Sequence, residues 1–209
     1  ATLLVIFIIF YKDILNIIRA ILKGQIHSPH FKLGAYIILG SIPTAIIGFT
    51  FKDLFESLFQ NLFAVGIALI TTGCILFISK YRNDSKRLTK SSSILIGIVQ
   101  GFAIIPGISR SGTTISTGLL LGLEKKQVAT FSFLLSVPAI LGATALEIKN
   151  LTTESLPLIP TLAGFISAFI VGYLSLKWLL RIIIKNKFHY FSYYCWTLGT
   201  FVILISVFV

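Results

Sequence analysis

Methionine is absent from the 209 residues, cysteine occurs only twice, and acidic residues number 7. Charged residues together make up 12% of the chain, about half of the roughly 25% usual in a soluble domain. That shortage excludes an ordinary cytosolic enzyme and a disordered tail. Cys74 and Cys195 both lie inside apolar runs, which suits neither a disulfide framework nor a zinc site. The chain also opens within the apolar run Ala1-Thr2-Leu3-Leu4-Val5-Ile6-Phe7. With no methionine, this gives the expectation that a native N-terminal segment precedes Ala1. What the sequence does hold is apolar: 56% hydrophobic residues, 18 of the 209 being Phe, and a mean hydropathy of +0.94. The class left is a polytopic membrane protein.

A spanning helix needs about 20 mostly apolar residues at about 1.5 Å each. Such runs occur at Leu33 to Phe51, Leu62 to Ser79, Val128 to Leu146, Leu156 to Leu180 and Tyr190 to Val209. Ala1 to about Ala20 makes a sixth, with Lys12, Asp13, Asn16 and Arg19 crowding one end. The connections at 12–32, 80–90 and 177–187 are basic, whereas 52–61 and 147–155 each carry one Lys against two acidic residues. The excess of Lys and Arg on cytoplasmic loops puts the first three inside and the other two outside. Most of the net charge of +11 is then topology, and no nucleic-acid partner is expected.

Crossing parity decides the remaining apolar stretch. Residues 80–90 are inside, and Val128 to Leu146 must run outward to reach the acidic connection at Glu147. Glu124-Lys125-Lys126 is therefore inside as well. Ile94 to Leu123 must enter and leave by one face, as a re-entrant hairpin whose Pro106-Gly107-Ile108-Ser109-Arg110-Ser111-Gly112 turn sits near the bilayer midplane. Irregular backbone survives there only where protein or a wet cavity surrounds it. Gly97-x-x-x-Gly101 and Gly118-x-x-x-Gly122 are expected to let the two arms pack closely.

Three runs precede the hairpin and three follow it, and Ile42-Pro43-Thr44 is echoed by Ile159-Pro160-Thr161. Two units with an odd number of spans lie in opposite orientations, the inverted-repeat plan of many transporters. The expected fold is thus an all-α polytopic membrane protein, a single membrane domain over 1–209. Residues 1–79 are the remainder of a first repeat whose own hairpin is missing. Residues 94–209 form the second repeat, with its re-entrant hairpin at 94–123.

Arg110 is the only charged residue between Ser91 and Leu123. An arginine at that depth costs several kcal/mol unless it faces water or a counter-ion. Ser109, Ser111, Thr113 and Thr114 stand around it, Gly107 helps to stop the incoming arm, and Gly112 permits close approach. A helix opening there offers free N–H groups and positive dipole, and the guanidinium offers a planar fork for two phosphate oxygens. Together they describe an oxyanion cradle. Gln100, two turns earlier, is a further candidate to face it. Ser132, Ser136 and Pro138 are read as shaping a helix. His27, His30 and His189 are read as solvated, and Trp178, Tyr190, Tyr193, Tyr194 and Trp196 as interfacial anchors.

The stretch Gln100-Gly101-Phe102-Ala103-Ile104-Ile105-Pro106-Gly107-Ile108-Ser109-Arg110-Ser111-Gly112-Thr113-Thr114 resembles the PGxSRSxxT hallmark of the bacterial undecaprenyl-diphosphate phosphatases, the bacitracin-resistance membrane enzymes. Phe131-Ser132-Phe133-Leu134-Leu135 and Gly142-Ala143-Thr144-Ala145-Leu146 are similar to the same family. The resemblance implies hydrolysis of a polyprenyl diphosphate lipid to its monophosphate at the outer face of the bacterial plasma membrane, recycling the carrier for peptidoglycan synthesis. It implies phosphate contacts by Arg110, Ser109 and Thr114, a divalent cation (Mg or Ca), and two inverted repeats; a homodimer stays open. The family's E-x-x-x-E and Ser-Ser-Thr-Gly-His signatures, which would supply carboxylates, histidine and a nucleophile, have no counterpart here. The chain by itself is therefore expected to be inactive. A transporter or flippase for a phosphorylated lipid or phosphate is the alternative. A lipid phosphatase of the acid-phosphatase type fails, because His189, the only histidine after Arg110, lies in an inside connection.

Overall fold

The computed structural model describes residues 1–81, 85–148 and 158–208. Parts of two connections read from charge, Arg82 to Asp84 and residues 149–157, lie outside the described residues. The chain folds into α1 (Thr2–Ile9), α2 (Tyr11–Leu22), α3 (Pro29–Thr50), α4 (Lys52–Leu58), α5 (Leu62–Ile78), α6 (Lys90–Phe102), α7 (Arg110–Leu120), α8 (Lys125–Ile148), α9 (Leu158–Ile184) and α10 (Phe191–Phe208), with single 3₁₀ turns at Ser79–Tyr81 and Phe188–Tyr190. Among the described residues the sole β-type pairing is an isolated bridge between Lys86 and Leu123. Pro29–Thr50, Lys125–Leu146, Leu158–Ile184 and Phe188–Phe208 are long and apolar enough to cross a membrane. The short helix α4 meets α5 at a bend of 101°.

The expected first span is corrected. Ala1 to about Ala20 is not one helix but breaks at Phe10 into α1 and α2. Lys12, Asn16 and Arg19 fall on one side of α2 at helical spacing, and Ile14 and Ile17 pack against the core. A polar stripe of that kind cannot continue straight into lipid, so the chain bends where it begins.

α6 and α7 form the hairpin, and its base is closed by backbone hydrogen bonds. The Ser85 and Lys86 amides donate to the Gly122 carbonyl at 3.1 and 2.8 Å, and the Glu124 amide donates to the Lys86 carbonyl at 3.1 Å. Entry and exit are therefore side by side. At 13 and 11 residues, the arms reach about 20 and 16 Å, short of a hydrocarbon core about 30 Å thick. The core sits where this hairpin meets α8: Ile96, Ile115, Val128, Phe131 and Leu135 are each 0% exposed.

The glycine pairs work differently from the expectation. A Cβ on Gly97 would strike the Gly40 carbonyl of α3, and one on Gly101 would lie 2.8 Å from Ile47. Gly118 is closed by Val128 of α8. The small residues thus seat the hairpin against α3 and α8, because each arm's neighbour across its glycine face is a full-length helix. Gly122, at φ 81°, serves the base turn. α5 and α10 also run close together, with a Cβ at Gly66 or Gly199 meeting the opposite helix's backbone at 3.0 and 2.9 Å.

Candidate functional site

The turn at the hairpin tip rests on α5. Gly107 adopts φ 93°, and a Cβ there would lie 2.5 Å from the Val65 carbonyl and 2.9 Å from Ala68. Only glycine fits both the left-handed backbone and that approach. Thr72, 0% exposed and about 15 Å along α5 from Leu62 at the helical rise, splints the turn from both sides. Its hydroxyl donates to the Gly107 carbonyl at 3.1 Å and accepts from the Ser109 amide at 3.2 Å. Sequence reading misses this residue. Threonine within an apolar run carries no local signal, and only the fold puts it beside the turn.

Ser109 then caps α7. Its Oγ accepts from the Gly112 amide at 3.1 Å, and its carbonyl accepts from the Thr113 amide at 2.8 Å and hydroxyl at 2.9 Å. Of the donors that a helix start leaves unpaired, those of Arg110 and Ser111 are not taken up by any hydrogen bond among the described residues. Ser109, Arg110 and Ser111 are partly exposed, while Gly112, Thr113 and Thr114 are buried behind them. Arg110 makes no ion pair among the described residues, where the one salt bridge joins exposed Lys52 and Glu56. An unpaired guanidinium, two free amides and the Ser109 and Ser111 hydroxyls share the first turn of α7. The positive end of that helix adds to them.

Gly107, Ser109, Arg110, Ser111, Gly112, Thr113 and Thr114 are thus brought to one place, but in two layers. Thr114 Oγ1 donates to the Arg110 carbonyl at 2.7 Å and lies 2.6 Å from Ser132 Oγ on α8. Its hydroxyl therefore holds the backbone of Arg110 and does not line the open face. Ser132, read from sequence as shaping a helix, is part of this support.

Gln100 stands apart. It is 2% exposed, and its Nε2 lies 3.4 Å from Thr44 Oγ1 and 3.3 Å from the Leu135 carbonyl. Thr44 donates in turn to the Gly97 carbonyl at 2.7 Å. Gln100 joins α6 to α3 and α8, with Oε1 buried and unbonded among the described residues. His189, expected as solvated, is instead buried, its ring 4.5 Å from that of Tyr190. The turn before α10 folds it under the helix ends.

A divalent cation does not fit the donors found here. Among the described residues no three of His, Cys, Asp and Glu come together, and the turn offers cationic and N–H groups, which repel a metal ion. What the arrangement can do is hold a multiply charged oxyanion in a low-dielectric setting, where such donors act strongly.

Residues 1–201 match the protein family described as bacitracin resistance protein BacA. Among curated proteins, the chain is 40% identical to an undecaprenyl-diphosphatase of Methanosphaera stadtmanae and 40% identical to one of Alkaliphilus metalliredigens, each over 99% of this chain and 81% of the relative. It is 41% identical to that of Carboxydothermus hydrogenoformans, over 98% and 79%.

Proposed function

The chain belongs to the bacitracin resistance protein BacA family, and from that premise we propose that it hydrolyses undecaprenyl diphosphate to undecaprenyl phosphate and inorganic phosphate. It is a multi-pass membrane hydrolase that recycles a lipid carrier and confers bacitracin resistance. The observation that carries the site assignment is Arg110, whose guanidinium at the first turn of α7 has no ion-pair partner among the described residues and lies beside two backbone amides that none of them takes up. A diphosphate brings the matching charge, and its planar oxygen pairs suit the guanidinium fork.

In this reading water attacks the terminal phosphorus and sheds a proton to solvent as the bond to the bridging oxygen breaks. The electron pair leaves with the lipid monophosphate. Charge spreads over the equatorial oxygens during transfer, so preorganised donors at those positions stabilise the transition state. Arg110, the Arg110 and Ser111 amides and the Ser109 hydroxyl supply such donors. Thr114 and Ser132 fix the Arg110 backbone from behind, and Thr72 fixes the turn from α5. Gln100 acts through packing at the α3, α6 and α8 junction. A divalent cation, which the resemblance implies, finds no donor set among the described residues and enters no step here.

The close pairing of α5 with α10, the last helices of residues 1–79 and 94–209, supports the inverted-repeat plan with those two stretches as its units. The basic connections support a hairpin base on the inside, with its tip pointing outward and the reaction facing the outer side of the plasma membrane.

The test is phosphate release from a polyprenyl diphosphate by the protein in proteoliposomes. Little release is expected from the chain alone, and release is expected once a segment carrying the family's E-x-x-x-E and Ser-Ser-Thr-Gly-His signatures is supplied. Arg110→Ala then loses about 10²-fold or more in turnover, and Arg110→Lys recovers little. Thr72→Val, which removes both splinting hydrogen bonds without changing size, is expected to lower turnover more than Thr72→Ser. Uptake of a labelled phosphorylated lipid without phosphate release would instead establish transport.

A further inference from the structure

A second polar site lies on the hairpin-base side of the molecule, where α9 gives way to α10. A cavity of about 620 Å³ is lined by Trp178, Arg181, Lys185, Lys187, Tyr190 and Phe191, with Ile182. Arg181 in the last turn of α9 and Lys185 just past its end are one turn apart, the Lys185 amide donating to the Arg181 carbonyl at 3.1 Å. Asn186, at φ 59°, reverses the chain so that Lys187 reaches the same cavity. Trp178 and Phe191 meet edge to face, with ring centroids 6.0 Å apart, and tie the two helices together at its wall. Trp178 and Tyr190 are 59% and 56% exposed.

We propose that this cavity binds the headgroup of an anionic phospholipid from the surrounding bilayer. Charge that only orients a membrane protein need not converge, whereas these three cations line one concavity from both sides of a turn. No acidic residue is among the lining, and Arg181, Lys185 and Lys187 make no ion pair among the described residues. The guanidinium suits two phosphodiester oxygens. Exposed Trp and Tyr rings are the side chains that settle at headgroup depth, beside which acyl chains run. Basic pockets between helix ends on the cytoplasmic side are suited to acidic lipid headgroups. Its lining shares no residue with the hydrolysis site assigned to the hairpin.

The test uses Trp178 as the reporter. Trp196→Phe leaves Trp178 as the only tryptophan of the two in the chain. The protein is placed in phosphatidylcholine nanodiscs containing a small fraction of phosphatidylglycerol brominated high on its acyl chains, or the same fraction of brominated phosphatidylcholine. The anionic lipid is expected to quench Trp178 well beyond its mole fraction, and the neutral lipid only in proportion. Replacing Arg181, Lys185 and Lys187 by Gln is expected to remove the preference, by about fivefold per cation. Inorganic phosphate at millimolar concentration is expected to leave it unchanged. Equal quenching by the two lipids, or a preference that survives the triple substitution, overturns the proposal. So does displacement by inorganic phosphate, which would make this a free-phosphate site. If Trp196→Phe disturbs the fold, the difference between wild type and Trp178→Phe gives the same signal.

Discussion

α8 and α9 are alike in composition and opposite in circumstance. Their spanning windows share a mean hydropathy of 1.8, yet 44% of the α8 window is buried inside the molecule and none of the α9 window is. Phe131 of α8 is 0% exposed and Phe165 of α9 is 46% exposed. Hydropathy reports the solvent a helix tolerates. It does not report its neighbours, because lipid tails are as apolar as Leu and give helices no hydrophobic reason to associate. What sets α8 apart is shape and hydrogen bonding: Gly118 opens a seat for its Val128, and Ser132 meets Thr114.

The sharpest way to break this comparison is to remove the same side chain from each helix. Phe131→Ala leaves a cavity between α8 and the hairpin and is expected to cost about 3–5 kcal/mol. Phe165→Ala exchanges one lipid contact for another and should stay within about 0.5 kcal/mol. Reversible denaturant unfolding in bicelles reads both. Equal losses would mean that α9 has a protein neighbour that its bare face does not reveal.

The glycines give a smaller effect, and one whose sign differs between the seat that α7 offers α8 and the bare face of α9. Gly118→Ala drives a methyl into Val128 and should cost about 1–3 kcal/mol. It should also lower turnover, because α7 must move away from α8 and carry Arg110 with it. At Gly164 of α9 an added methyl group would meet nothing within 4 Å, and Gly164→Ala should gain up to about 1 kcal/mol from helix propensity. Thermal unfolding in detergent would register a downward shift for the first and an upward one for the second.

The same contrast explains how much of the molecule is legible in its sequence. Spanning runs, the hairpin and the first turn of α7 are legible because each leaves a local mark: a run of apolar residues, a parity of basic loops, or Pro106-Gly107 before Arg110. Partners are not legible. Gly97 and Gly118 announce close packing without saying against what, and the fold supplies α3 and α8. Thr72 and Thr71 are neighbours in one apolar run, yet Thr72 splints the hairpin tip while Thr71 is exposed and bonds its own helix at Ile67. The break at Phe10 escapes a count of polar positions along the chain, because it follows from where those of α2 lie around the helix. The burial of His189 escapes as well, since charge tells its side of the membrane and nothing about the turn that covers it.

The smallest effect tests the polar half of the comparison. Ser132 and Thr114 hydroxyls lie 2.6 Å apart and buried, whereas Ser167 of α9 donates to its own helix at Ala163, 2.8 Å away and exposed. Ser167→Ala removes a bond that any solvent-facing helix can lose freely, so no measurable change is expected. Ser132→Ala removes a partner between helices, yet Thr114 keeps the Arg110 carbonyl as its acceptor and no donor is orphaned. The cost should therefore be about 1 kcal/mol, at the level of one buried neutral hydrogen bond. Turnover should fall by less than in Thr114→Val, which removes the tie to the Arg110 backbone itself. Should Ser132→Ala reduce turnover as much as Thr114→Val, the Arg110 backbone would be held chiefly by α8, and the hairpin would be a part positioned by its neighbours more than by its own first turn.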